Sequence, residues 1–193
     1  MKKLLALALL FAIPSSIVWA QDELGPDQHW VEQVGGSVAF PASGDASKAY
    51  NVGFGGDFSI SYRITPNISE GVMTGYYQFN IQNAPSGSNS NFSYVPLMEV
   101  TRCVIGDGDF RPYAFFGLGA AFNTLKLSPT STTETDLLMS PGAGVLWAAF
   151  PKAALYVQGR LDVDFISDNI SSAHSTNPSV FLPLEGGLIF YVL

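Results

Sequence analysis

The chain has 193 residues, 47% of them hydrophobic and only 13% charged, with a formal net charge of −7. An acidic balance with no Lys/Arg cluster argues against nucleic-acid partners. A single cysteine, Cys103, excludes an intrachain disulfide, and with only two histidines a dedicated zinc site is not expected; no cofactor is implied.

Met1-Lys2-Lys3 precede an apolar run from Leu4 to Ile13, followed by Pro14-Ser15-Ser16 and Val18-Trp19-Ala20. A charged start, a short apolar core and small residues before a cut after Ala20 make residues 1–20 a signal peptide for export. The run is shorter than the ~20 residues a membrane-spanning helix needs, and no Cys stands at the cut to carry a lipid anchor. Losing Lys2 and Lys3 takes the formal charge from −7 to −9. Residues 21–33, acidic and polar with Gly25-Pro26 and Trp30, read as a periplasmic lead, with one helical turn expected around Asp27–Gln33.

From residue 34 to 193 the pattern is a series of strands. Val34–Phe40 sets Val34, Val38 and Phe40 outward and Gly35, Ser37 and Ala39 inward. Pro41–Tyr50 is a loop of small residues. Val52–Ile64 alternates almost without error: Phe54, Phe58, Ile60 and Tyr62 fall on one parity, and Gly55, Asp57, Ser59, Ser61 and Arg63 on the other. Successive strand side chains face opposite sides, so one face is greasy and the other polar and small. Thr65-Pro66-Asn67 makes a tight turn.

Val72–Ile81 follows, then a Ser/Asn/Gly-rich loop, Gln82–Asn91. Phe92–Val104 is the least regular strand: Pro96 interrupts it, Glu99 lies between Met98 and Val100, and Arg102 falls on the apolar parity. Gly106–Asp109 turns the chain into Tyr113–Asn123, with Ala114, Phe116, Leu118, Ala120 and Phe122 opposite Gly117, Gly119 and Ala121. Leu125–Asp136 reads as a Thr/Ser-rich loop, Leu138–Phe150 as a Gly/Ala-rich strand and Pro151-Lys152 as a turn. Ala154–Ile166 sets Leu155, Val157, Leu161, Val163 and Phe165 against Tyr156, Gln158, Arg160, Asp162 and Asp164. Ser167–Pro178 is a polar loop, and Val180–Leu193 closes the series.

An even strand count, with short turns alternating with longer polar loops, predicts an all-β fold: an eight-stranded antiparallel transmembrane β-barrel. The signal peptide places the short turns on the periplasmic side. Eight strands enclose a space that side chains just fill. The inward charges expected to fill it are Asp57, Arg63, Glu99, Arg160, Asp162, Asp164 and Glu185, with Arg63 and Arg160 facing the carboxylates. Buried charges persist only when paired or wetted. Tyr62, Tyr76, Tyr113, Trp147, Tyr156 and Tyr191 lie mostly near strand ends, where interfacial girdles would place them, though core packing explains single cases equally well.

Two other readings of these residues compete. Asp162 and Asp164, two apart on one strand face, form a carboxylate pair of the kind catalysis uses, but a small barrel needs polar filling whatever it does. A soluble lipocalin-like barrel would also alternate. It would carry a densely charged exterior, whereas the mean hydropathy here is +0.22.

Arg111-Pro112-Tyr113-Ala114-Phe115-Phe116-Gly117-Leu118-Gly119, Pro141-Gly142-Ala143-Gly144-Val145, Tyr156–Phe165 and the terminal strand resemble the small outer-membrane β-barrel family of Gram-negative bacteria, the OmpA/OmpX-like and OmpW-like porin-family domains. The resemblance covers residues 34–193. It implies the outer membrane as location, outer-membrane lipid and lipopolysaccharide as surroundings, and the barrel assembly machinery as a partner during biogenesis. The family's last strand commonly ends in an aromatic; Phe190 and Tyr191 come close, and Leu193 holds the final place. No peptidoglycan-binding domain follows.

The function expected is a non-enzymatic structural or surface-interaction barrel without a pore of porin size. No extracellular ligand can be named from loops so poor in anchoring residues. The alternative is a narrow channel for small or hydrophobic molecules, with Pro96 and Pro141 interrupting strand pairing where a lateral gap could open. A lipid A-modifying hydrolase would need a base, a nucleophile and an orienting carboxylate. His174, Ser175 and Glu185 are a loose echo of that set, with Thr176 where the family's His-x-Ser order wants serine.

Overall fold

The structure, a computed structural model, describes residues 29–43, 46–82, 90–127, 129–150, 152–165 and 178–192. The expected signal peptide, most of the lead, the centres of the second and fourth long loops, His174, Ser175 and Leu193 lie outside them.

The strands are β1 (Trp30–Ser43), β2 (Gly53–Arg63), β3 (Ile68–Asn80), β4 (Asn91–Val104), β5 (Phe110–Leu127), β6 (Thr130–Phe150), β7 (Ala153–Arg160), β8 (Asp162–Phe165) and β9 (Ser179–Val192). Each pairs antiparallel with its neighbour, and β1 closes on β9 from Trp30↔Val192 to Ser43↔Val180. β7 and β8 occupy one place in the ring, both lying between β6 and β9. Eight strands thus form a closed barrel, which leaves no free edge.

Alternation survives the folding almost intact. Phe54, Phe58, Val72, Leu97, Phe116, Val145, Val157 and Leu184 are exposed on the outside, while Asp57, Ser59, Ser61, Gln158, Arg160 and Glu185 are buried inside. A chain with its polar groups within and a band of large apolar residues without has the inside–outside order of a barrel solvated by lipid.

Local chemistry sets the short turns. The Thr65 hydroxyl accepts from the Asn67 and Ile68 amides at 3.3 and 3.0 Å, and Ile64 N–H donates to the Ile68 carbonyl at 2.9 Å. Gly106, at φ 81°, takes the left-handed conformation that opens the next turn.

Several boundaries differ from the sequence expectation. β1 starts at Trp30, so Trp30–Gln33 are strand and not a helical turn; Val31 and Gln33 already fill the lumen, and Trp30 lies beside Tyr62 and Val192. β3 likewise starts at Ile68 instead of Val72. The first long loop is shortened by β1 running to Ser43, and it holds a four-residue helix, α1 (Ala46–Ala49).

The largest difference is at Leu125–Asp136. β5 and β6, of 18 and 21 residues, continue as a hairpin paired out to Leu127↔Thr130. Threonine is β-branched and suits strands, and beyond the lipid a ladder needs no greasy face. Thr124 and Thr133 share a hydroxyl hydrogen bond across it at 3.0 Å.

Candidate functional site: the polar lumen

Arg160 is the centre of the lumen, 1% exposed. Its guanidinium lies 2.6 Å from Asp57, 2.9 Å from Asp162 and 3.3 Å from Glu185. Residues from β2, β7, β8 and β9 therefore meet on one cation. Hydroxyls complete the shell. Tyr77 donates to Asp57, Tyr156 to Glu185, Tyr94 to Asp162 at 2.7 Å and Ser140 to Asp162 at 2.5 Å. Gln158 donates to Glu185 at 2.9 Å and accepts from the Tyr113 hydroxyl at 2.8 Å. Buried carboxylates are tolerable on these terms, since each has a charge-assisted partner and further donors.

The small residues opposite make room for this cluster. A β-carbon at Gly35 would run into the Tyr156 hydroxyl and the Glu185 carboxylate, and one at Gly75 into Asp57.

Of the other charges expected here, Asp164 sits apart, toward the β5–β6 hairpin, where the Asn123 amide donates to it at 2.6 Å and to Asp136 at 2.9 Å. Arg63 is inward but does not reach the carboxylates. It lies at the short-turn mouth, its guanidinium 5.1 Å from the Tyr191 ring centre, because its place at the end of β2 is six residues from Asp57 along the strand. Glu99 is a correction of face. Phe92, Tyr94, Met98, Val100 and Arg102 share the buried parity of β4, so Glu99 lies outside, between Val72 and Leu118. The reason is packing: the inner surface of β5 is Gly117 and Gly119, and the space above them is taken by Met98.

Two features were not anticipated. The second buried arginine is Arg102, whose place on the apolar parity marked it as odd. It donates to Gln33 and stacks 5.1 Å over the Tyr113 ring. The hairpin-side mouth is filled by aromatics: Tyr77 and Tyr94 stack at 4.8 Å, Tyr50 and Phe92 at 4.6 Å, and Phe181 lies 5.3 Å from Tyr94. α1 closes over them through buried Ala46 and is tied to Gln82, whose side-chain amide donates to Ser47 O at 3.2 Å and, just beyond the helix, to Tyr50 O at 2.8 Å. Of the aromatics open to either a girdle or core packing, Tyr113 and Tyr156 are buried lumen residues, whereas Trp147 and Tyr76 face outward.

Pairing is locally open beside both prolines: the β3–β4 ladder passes from Thr74↔Leu97 to Tyr77↔Tyr94 at Pro96, and β6 passes from Gly142↔Arg160 to Met139↔Val163 at Pro141, with single hydrogen bonds to the proline carbonyls in between. The Thr74 hydroxyl donates to Pro96 O at 2.9 Å, and Leu161 N–H donates to Pro141 O at 2.9 Å. Among the described residues the lumen holds no cluster of three potential metal ligands.

The chain belongs to the outer membrane protein β-barrel family: the family described as "Outer membrane protein beta-barrel domain" matches residues 4–173. Its fold is similar to that of Neisserial surface protein A, at 18% identity and a TM-score of 0.64, covering 84% of this chain and 96% of that one. It is also similar to OprG from Pseudomonas aeruginosa, at 10% identity and a TM-score of 0.56, covering 85% and 95%. Ail, the attachment invasion locus protein of Yersinia pestis, matches at 14% identity and a TM-score of 0.50, covering 85% and 99%. At such identities the likeness is one of fold. No curated protein matches. The protein is thus an outer-membrane barrel with its apolar face in lipid.

Proposed function

We propose that this protein is a non-enzymatic barrel whose work is done at its hairpin end, as a surface-interaction module held in the outer membrane, with the short turns on the periplasmic side. The observation that carries the reading is the filled lumen. The Arg160 cluster and the aromatic layer of Tyr77, Tyr94, Phe92 and Phe181 leave transport little space along the axis, in keeping with what eight strands can enclose. What projects is the β5–β6 hairpin, with Lys126, Leu127, Thr132 and Thr133 exposed. Surface and attachment roles in the names of two fold relatives support the reading.

The packed interior weighs against a narrow channel along the barrel axis. Reconstituted in planar bilayers, the full chain is expected to give no stepwise currents of porin size. In cells, replacing residues 125–132 by a two-residue turn is expected to preserve the barrel while reducing attachment to coated surfaces. Discrete ion currents, or attachment indifferent to the hairpin, would contradict the proposal.

A further inference from the structure

At the short-turn end the lumen opens into a cavity of about 190 Å³ lined by Arg63, Arg102 and Arg111, with Asp107, Ser69 and Tyr191 among its other walls. Three cations and one carboxylate around one small space are unusual in a chain of net charge −7. The placement follows from register. Ser69 pairs with Arg63 on one side and with Arg102 on the other, so the two arginines stand on one rung of the inner wall. Cross-strand neighbours lie about 5 Å apart at Cβ, which puts the two arginines about 10 Å apart there.

Arg102 is 5% exposed, and among the described residues no carboxylate pairs with it. Its Nε, and the Nε2 of the Gln33 amide it contacts, are buried donors without an acceptor. A buried guanidinium with an idle donor is costly unless something supplies oxygens to it. Arg111 adds a second cation at the rim; its own Nε donates to Gly108 O at 2.7 Å.

We infer that this cavity is a binding site for a phosphate-class oxyanion, taken either as the free ion or as the head of an anionic lipid. The choice of phosphate rests on chemistry: the planar guanidinium fork matches phosphate oxygens, and several forks suit a multiply charged anion with oxygens on all sides. The site is distinct from the Arg160 cluster, whose cation is fully engaged by carboxylates, and it does not depend on the surface role proposed above.

The test is a titration of the refolded full chain in an uncharged detergent with inorganic phosphate, followed by equilibrium dialysis of radiolabelled phosphate. Saturable binding is expected, weakened about tenfold by Arg63→Gln and by Arg111→Gln, as loss of one charge-assisted contact implies. Both residues sit at the mouth, so these variants keep the question open if Arg102→Gln fails to fold. Lys126→Gln, at the opposite end, should leave binding unchanged. Competition by a short-chain phosphatidate with higher affinity than inorganic phosphate would identify a lipid head as the occupant; equal or weaker competition would identify the free ion. Absence of saturable binding, or binding indifferent to both rim arginines, would overturn the inference and leave a cavity occupied by water.

Discussion

Replacing Arg160 by methionine should destabilise the barrel more than any other single change in the lumen. The side chain is 1% exposed and holds Asp57, Asp162 and Glu185 at 2.6, 2.9 and 3.3 Å. Removing the cation leaves three carboxylates buried at close quarters with only tyrosine, serine and glutamine donors. Taking one partner out of a buried ion pair costs about 3–5 kcal/mol, because the survivor stays desolvated and uncompensated. Here several survivors share the loss, so the upper part of that range is expected. Urea unfolding of the protein in lipid vesicles should show the drop in midpoint. The cause is separable from lost packing: adding Asp57→Asn and Glu185→Gln to the methionine variant should recover much of the stability. Arg160→Lys should fall between, keeping the charge but losing the fork that reaches all three acids. A methionine variant as stable as the parent would mean that the cluster is not what orders the interior.

The second large effect belongs to the outer face. Val157 is 69% exposed, lies between Val145 and Gly186, and sits on the parity opposite Gln158 and Arg160. On a protein surrounded by water, Val157→Arg would change stability by no more than about 0.5 kcal/mol. On a lipid-facing strand near the bilayer centre it should cost about 2–4 kcal/mol. The same substitution at Thr133, exposed on the projecting hairpin, should cost almost nothing. The difference between the two sites, measured by unfolding in vesicles, reads out which part of the outside is in lipid.

The strand pattern was legible where one face is uniformly greasy. Val52–Ile64 and Ala154–Ile166 announced both their faces, and with them Asp57, Arg160, Asp162 and Asp164 as inward groups. The pattern misled where a strand's face is decided by its neighbours. On β4 the residues Leu97 to Val100 are mostly apolar on both parities, so nothing local places Glu99 inside or outside; the glycines of β5 decide it by requiring Met98 inward. Arg102 carried the opposite signal, a charge on the parity of Met98 and Val100, and that oddity was the trace of a buried arginine. The β5–β6 hairpin was missed because its Thr and Ser residues resemble a loop once the apolar alternation stops. Alternation reports lipid on one side, and a strand that leaves the bilayer loses it without ceasing to be a strand. The lumen's aromatic layer had a sequence trace too, in Tyr77 and Phe79 on the parity of Gly75, but which parity faced inward needed the closed register.

The most direct test of the account is the gel mobility of the purified outer-membrane fraction with and without boiling. Closed barrels in lipid resist SDS until heated, so the unboiled protein should run at a different apparent mass from the boiled one and be absent from the soluble periplasm. A single mobility at both temperatures, with the protein recovered in the soluble fraction, would contradict the lipid-facing barrel.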